Sequence, residues 1–415
     1  MKDFGKSSDP RVQAQLDRLA ALTVPQGRLG LETIRVLLAR LGDPHNHLPP
    51  VFHVAGTNGK GSTCAFLRAI LEAEGYTVHA TTSPHLVRYN ERIRIAGKLI
   101  GDEALAALLK EVLDAGEDLA TSFFEVTIAA AFLVFSRTPA DACVVEVGLG
   151  GRFDATNVLG PEVLAACGIA SLGIDHERFL LAPEEGVPEE PLARIAFEKA
   201  GIAKPGVPLV TLAYSDEASQ AVSSQASRAG ATILEWGEDW YCDNINSAPG
   251  FIFYCEGREE FEFPEPALEG EHQILNAGLA IAMLRAQNIV PVGEIAISAG
   301  LRNACWPARL QKLTPGPLTF LVRDKTVWLD GGHNPDAGRR IATFFQGQLH
   351  LVIGMLNNKD PMALIGPLQD KIRTITVVPV PDHDSHPVDA FGPTARAAVD
   401  VKEALLGLPS DDYPV

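Results

Sequence analysis

Basic residues are scarce in this chain of 415 residues: 35 Lys and Arg stand against 52 Asp and Glu, a net charge of −17. A field of that sign disfavours nucleic acid and acidic membrane surfaces as partners. Any anionic ligand must therefore be drawn in by local basic groups. Long apolar runs are missing as well. No uncharged stretch reaches the roughly 20 residues that span a bilayer, and Met1 to Asp9 contains no apolar signal core. A cytoplasmic setting is expected. Cysteine is thin: Cys64, Cys143, Cys167, Cys242, Cys255 and Cys305 are scattered without metal-ligand spacing. The first three lie in apolar elements and read as buried thiols. Cys242 and Cys255 could face each other across a hairpin, and are read as reduced. Low-complexity tracts and short repeats are absent. What is present is 46% apolar residues, ample for ordinary cores, and a length that suits two domains.

The segment from Val51 to Thr63 is the most informative. Val51 to Ala55 is a β-rich run of the kind buried in a parallel sheet. Gly56-Thr57-Asn58-Gly59-Lys60-Gly61-Ser62 is too rich in glycine to continue it. A helix over 63–75 follows. Strand, glycine loop, helix is the context of a phosphate-binding loop: backbone N–H groups approach the anion and the helix N-terminus adds partial positive charge. Lys60 would sit on the outer phosphates, and Ser62 or Thr63 could reach a bound Mg²⁺. The spacing departs from the standard P-loop, because the expected first glycine falls at Val54 and Gly61 separates Lys60 from the hydroxyl at Ser62. The plainer alternative is an ordinary glycine turn.

The rest of the chain alternates. Residues 9–42 read as helical. Strands are expected at 51–55, 77–81, 142–147, 165–171 and 208–212, and helices at 63–75, 102–114, 122–136, 190–201 and 216–228. That alternation predicts an α/β fold with a parallel sheet covered on both faces. The aromatic stretch 232–264 suggests short antiparallel strands, with a helix at 270–287. A second α/β pattern follows: helix 292–303, strands near 318–322 and 326–330, helix 335–346, strand 350–353, helix 361–370 and strand 374–379. The boundary is placed near 290, giving domains 1–290 and 291–415.

Several residues ask for a chemical explanation. Glu146 is a carboxylate at the carboxyl end of an apolar strand, where it must be paired or metal-bound. His176, beside Asp175, ends another strand at the same expected edge as Lys60. Ser83 is a candidate oxygen ligand there, although Ser-Pro is also a plain turn opener. Ser122 and Glu125 fit a capping box, which accounts for their spacing, and Phe123 and Phe124 would otherwise be core. Lys199 and Lys204 have a bland reading at a helix C-terminus. Asn334 reads as the cap of a helix beginning at Pro335, which leaves Asp330 and His333 unexplained. Asp382 to His386 resembles a metal cluster, but its proline-rich setting favours a solvated loop.

Together these segments resemble the folylpolyglutamate synthase and dihydrofolate synthase family, relatives of the Mur peptide ligases. The matching stretches are His53–Thr63, Thr82–Ile93, Phe124-Glu125, Val145–Asn157, Leu172–His176, Glu198–Ile202, Gly270–Asn276, Arg309–Gln311, Asp330–Pro335 and Gly354–Asp360. They run in family order. Only 55 residues precede Gly56, too few for the nucleotide-sugar domain of a Mur ligase. The resemblance implies a P-loop-containing parallel-sheet domain like the Mur central domain, plus a smaller C-terminal Rossmann-like α/β domain. It implies an ATP-dependent ligase, expected to be bifunctional, joining L-glutamate to dihydropteroate and to folyl-glutamates through an acyl phosphate. A polyglutamate synthase alone, another Mur-type ligase, and a nucleotide-dependent switch are the alternatives.

By position in the family pattern, Gly56 to Ser62, Asn276, Arg309, Asp330 and His333 would hold ATP. Ser83 and Glu146 would bind one Mg²⁺, and His176 with Glu146 a second. Lys199 matches a lysine that is carbamylated to give a further ligand, which requires a neutral amine. A monovalent cation is allowed for. Ser83, Pro84, His85, Arg88 and Arg92 would hold the pterin, with Phe124 beside it and Glu125 facing the site. Lys60, His176 and Lys199 are the catalytic candidates. A monomer acting on small molecules is expected. There are departures. Twenty-two residues separate His176 from Lys199, more than is usual, through an acidic, proline-containing stretch from Phe179 to Glu190. Gly332 stands where alanine is common. The chain is also expected to lack the family's final strand.

Overall fold

The computed structural model describes residues 5–22, 30–245, 249–322, 324–381 and 383–415. The chain forms two compact units, Met1–Ala267 with Ile274–Cys305, and Leu268–Gln273 with Trp306–Val415.

The first unit is built on strands β1 (Val51–Ala55), β2 (Val78–Thr81), β3 (Ile93–Ile95), β4 (Lys98–Leu99), β5 (Ala142–Glu146), β6 (Leu164–Ile169), β7 (Pro208–Thr211) and β8 (Thr232–Glu235). They lie in the order β4-β3-β2-β5-β1-β6-β7-β8. Pairing is parallel from β2 to β8 and antiparallel only at β2–β3 and β3–β4. β1, β5 and β6 are buried along their whole length, as strands covered on both faces must be. The cover comes from helices α1 (Pro10–Ala20), α2 (Glu32–Arg40), α3 (Lys60–Glu74), α4 (Asp102–Ala115), α5 (Phe123–Arg137), α6 (Glu177–Leu180), α7 (Pro191–Ala200) and α8 (Asp216–Ala229). The chain leaves β1 toward β2 on one side, while β6 lies on the other. The crevice at the carboxyl end of β1 is therefore the topological switch point, where such sheets bind ligands. β9 (Trp240–Asn244), β10 (Phe251–Glu256) and β11 (Glu259–Pro264) form a three-stranded antiparallel sheet, followed by α9 (His272–Arg285) and α10 (Glu294–Asn303).

The second unit holds β12 (Gln311–Lys312) paired with β13 (Trp328–Leu329), and a parallel sheet of β14 (Leu349–Ile353), β15 (Ile372–Val377) and β16 (Arg396–Ala397). Its helices are α11 (Pro335–Phe344), α12 (Pro361–Ile365) and α13 (Val401–Leu406).

Several expectations are corrected. The unit boundary falls after Cys305, not near 290. α10 lies so close to α3 that a Cβ on Gly300 would stand 2.5 Å from the Ile70 backbone, so 291–305 belongs with the first unit. The helical stretch 9–42 is two helices, with residues 23–29 outside those described. Residues 232–235 form β8 of the main sheet, not part of the antiparallel hairpins. The expected strand at 318–322 is a 3₁₀ turn, Thr319–Val322, because the Thr319 hydroxyl accepts from the Gly316 amide at 2.7 Å. The hairpin β3–β4 gave no advance signal, although Ala96 and Gly97 both have positive φ, as a tight I′-type turn demands. Cys242 pairs opposite Tyr254 and Cys255 opposite Tyr241, so the two thiols point to opposite faces. All six cysteines are free. No strand follows β16 among the described residues, although the Val415 N–H donates to the Thr326 carbonyl and the Val415 carbonyl accepts from the Trp328 amide. No helix among the described residues is long and apolar enough to cross a membrane.

Candidate active site

Gly56 and Gly59 carry the turn after β1, with φ of 145° and 89°. Neither has room for a side chain. A Cβ on Gly56 would stand 2.9 Å from that of Ala170, and one on Gly59 would stand 2.3 Å from Asn276 Oδ1. The loop is stapled to the segment after β6. The Thr57 amide donates to the Ser171 carbonyl at 2.8 Å, and the Thr57 hydroxyl donates to the Gly173 carbonyl at 2.9 Å. α3 begins at Lys60, earlier than the expected 63, so the lysine and Ser62 sit in its first turn, where the helix dipole is positive. The Thr63 hydroxyl is buried there with no hydrogen-bond partner among the described residues.

Two lysines converge on one oxygen. Lys60 Nζ donates to the Gly56 carbonyl at 3.0 Å and to that of Thr57 at 3.2 Å. Lys199 Nζ, from the last turn of α7, donates to the same Gly56 carbonyl at 2.9 Å. Lys199 is buried, and burial together with the Lys60 charge pushes its amine down to about 7. The cavity beside them is lined by Thr57, Lys60, Gly148, Asp175, His176 and Lys199, among others. His176 has a left-handed backbone, φ 54°, and its Nε2 lies 3.9 Å from Asp175 Oδ2. The structure thus brings Lys60, His176 and Lys199 together despite the long stretch between the last two.

Glu146 is buried at the end of β5, and its Oε2 accepts the Ser83 amide at 3.0 Å. Ser83 presents its backbone to the carboxylate. The peptide bond between Ser83 and Pro84 is cis. Arg92 is buried: desolvation lowers its pKa to about 10, while the Glu146 charge acts in the opposite direction. Its Nε donates to His85 Nδ1 at 2.9 Å. Arg88 is more exposed and pairs with Asp102 at 2.6 Å. Phe124 lies over the loop 148–151 that follows β5, since a Cβ on Gly148 would stand 2.3 Å from its ring. Glu125 forms the expected capping box, accepting from the Ser122 amide at 2.8 Å and from the Ser122 hydroxyl at 2.7 Å.

In the second unit, Asp330 accepts from the Leu310 amide at 2.8 Å and the Gly332 amide at 2.7 Å. Ala308 and Leu310, flanking Arg309, both have positive φ, which marks stored strain. Arg309 Nη1 donates to the Ala308 carbonyl, and His333 Nδ1 lies 3.1 Å from the Gly331 carbonyl. Asn334 caps α11 as expected. Of the stretch 382–386, Asp382 lies outside the described residues; among the described residues no group of three His, Cys, Asp or Glu side chains could hold a metal.

One organising residue was missed. Asp154 is buried and accepts from the Leu149 amide at 2.7 Å, the Thr156 amide at 3.0 Å and the Thr156 hydroxyl at 2.6 Å, thereby shaping the loop over the cavity. The Asp-x-Thr spacing after a glycine run was its only signal.

No family model matches the chain. It is 34% identical over 392 residues to the dihydrofolate synthase/folylpolyglutamate synthase of Bacillus subtilis, across 90% of this chain and 84% of that one. The chain belongs to the dihydrofolate synthase/folylpolyglutamate synthase family. E. coli FolC in complex with DHPP and ADP matches with a TM-score of 0.80 and 29% identity, covering 94% of this chain and 89% of that one. The bifunctional folylpolyglutamate synthase/dihydrofolate synthase of Yersinia pestis, complexed with AMPPNP and Mn ion, also gives 0.80 and 29%, over 96% and 91%. These neighbours bear out the expected fold class, a large mostly parallel α/β sheet with a smaller C-terminal α/β unit.

Proposed function

We propose that this member of the family is an ATP-dependent ligase that joins L-glutamate to dihydropteroate and to folyl-glutamates. The observation that carries the reading is the glycine loop with Lys60 and buried Lys199 converging on its first carbonyl. The ADP, AMPPNP, DHPP and Mn of the solved relatives support it.

On this reading Gly56, Thr57, Asn58, Gly59, Lys60, Gly61 and Ser62 cradle the triphosphate, since phosphoryl transfer is mostly positioning and charge neutralisation. Asn276 lies against Gly59 and extends the nucleotide site. Arg309, Asp330 and His333 are further candidates for holding ATP. The substrate carboxylate attacks the γ-phosphate, and the glutamate amine then displaces phosphate from the acyl phosphate. A divalent ion suits the residues present. One buried carboxylate, Glu146, with hydroxyls at Ser83 and Thr63, matches Mg²⁺, which takes few protein ligands beside water and phosphate oxygens. The ion would screen the two anions from each other. His176 and Lys199 would complete a second site. An amine with pKa near 7 supplies the neutral form that carbamylation of Lys199 needs. His85, Arg88, Arg92 and Phe124 would hold the pterin, while Glu125 serves as a cap. A cytosolic setting accords with the six free cysteines.

The test is phosphate release from Mg-ATP and L-glutamate, with dihydropteroate or tetrahydrofolate added separately. Release with both is expected. Release with tetrahydrofolate alone reduces the protein to a polyglutamate synthase. Hydrolysis indifferent to glutamate removes the ligase reading.

A further inference from the structure

The long stretch between His176 and Lys199 carries a feature that the chemistry above does not use. It begins with α6, whose Leu180 side chain lines the cavity and abuts Gly150, where a Cβ would stand 2.9 Å away. It then delivers Glu184 into a four-member ion cluster. Glu184 accepts from Arg152 Nη1 at 3.1 Å and Nη2 at 2.6 Å, and from Arg194 Nη2 at 2.9 Å. Glu198 completes the ring, accepting from Arg152 Nε at 3.1 Å and Nη2 at 2.7 Å, with Arg194 Nη2 at 3.0 Å. Side-chain exposure is 6% for Arg194 and Glu198, 18% for Glu184 and 19% for Arg152.

Charge decides what each member does. The two guanidiniums and Glu198 alone leave one uncompensated buried positive charge beside the cationic Lys60 and Lys199 region, a costly arrangement. Glu184 balances it, and the paired Arg geometry fixes direction as well as charge. The cluster also joins two walls of the cavity. Arg152 directly follows a second glycine-rich loop, 148–151, and its amide donates to the Glu198 carbonyl at 2.7 Å. A Cβ on Gly151 would stand 2.9 Å from Lys199 Cα, and one on Gly201 2.5 Å from the Arg152 Cβ. Arg194 in turn donates to the Leu180 carbonyl at 3.0 Å, tying α6 down.

We propose that Glu184 is a positioning residue: through Arg152 and Arg194 it locks the α6 segment, the loop 148–151 and the last turn of α7, and so sets Lys199 against Gly56. This role rests on the ligase reading only for its kinetic consequence. The geometric consequence stands by itself.

The experiment uses the full chain with Glu184→Gln and Glu184→Asp, read by steady-state kinetics and by hydrogen–deuterium exchange of the peptides covering 148–152 and 195–201. For Glu184→Gln the expected result is a fall in kcat of about tenfold, since small misplacements near a reacting centre are that costly. KM for ATP should stay within about twofold, because the phosphate loop itself is untouched. Exchange should rise in those two peptides and not in β1 or β5. Glu184→Asp should recover most of the rate. Unchanged kcat and exchange in Glu184→Gln overturns the proposal. Uniformly faster exchange with a lowered Tm and normal kcat below it also overturns it, as a purely structural role. A wild-type protein without glutamate-dependent turnover rejects the functional reading, while the two-peptide exchange pattern still decides the placement of Glu184.

Discussion

In the first unit, the loop after β1 is held by backbone bonds and by the absence of side chains. Gly56 and Gly59 leave no space for a Cβ, and the Thr57 and Asn58 amides bond to Ser171. In the second unit, the loop after β13 is held by one carboxylate. Asp330 gathers the Leu310 and Gly332 amides, while Ala308 and Leu310 carry positive φ without being glycine. The first loop is preorganised by covalent geometry, so its lysine arrives at a fixed place. In the second unit the strain lies in the segment before β12, at Ala308 and Leu310, and Asp330 holds that segment through the Leu310 amide. A motif of glycines is visible in a sequence; a strained loop closed by a single Asp is not.

Breaking the first loop should have the largest effect. Lys60→Ala is expected to lower glutamate-dependent ATP turnover by at least about 10³-fold with an unchanged circular dichroism spectrum, because charge stabilisation of the transferring phosphoryl group is lost. Unaltered turnover would remove the phosphate-loop assignment. The glycine contrast sharpens the comparison further. Gly59→Ala meets both a φ of 89° and the Asn276 side chain, so KM for ATP should rise by more than about tenfold. Gly331→Ala meets the far end of the Arg309 side chain, 2.9 Å away, and the Ala308 carbonyl at an ordinary 3.6 Å, and should change stability by less than about 0.5 kcal/mol. Equal effects of the two substitutions would end the distinction drawn between the loops.

Asp330→Ala tests the second loop directly. Two amides lose a charged acceptor, each worth about 1.5–3 kcal/mol, so denaturant unfolding of the second unit should shift by several-tenths molar or more, and activity should fall with it. Lys199 gives the only pH-dependent effect. Unfolded, its amine keeps the ordinary value of 10.5; folded, burial and Lys60 hold it near 7. Between those values the unfolded chain binds the extra proton, so stability rises with pH across the window and is lost as pH falls toward 7. From pH 7 to 9 the gain should be about 2 kcal/mol by denaturant titration. Lys199→Met should flatten that slope, and a slope that persists would assign it elsewhere.

Much of the first unit was legible because its physics is local. β1, β5 and β6 are mostly apolar runs, interrupted only by His53 in β1 and ended by Glu146 in β5, and such runs become strands buried on both faces. The phosphate loop, the capping box of α5 and the cap of α11 follow from residues within a few positions of each other. The strand expected at 318–322 failed for a local reason too: a short apolar run does not reveal that Thr319 will capture Gly316.

The sequence alone determined that a glycine loop joins a buried strand to a helix in an α/β sheet, because loop conformation there depends on which residues lack a Cβ. The tertiary structure decided where α10 belongs, how Asp154 shapes the cavity loop, and that Lys60 and Lys199 share one carbonyl. It alone assembled Arg152, Glu184, Arg194 and Glu198. Those partners lie up to 46 positions apart. Charges so separated in sequence meet only when packing closes the chain, and no spacing rule spans that distance.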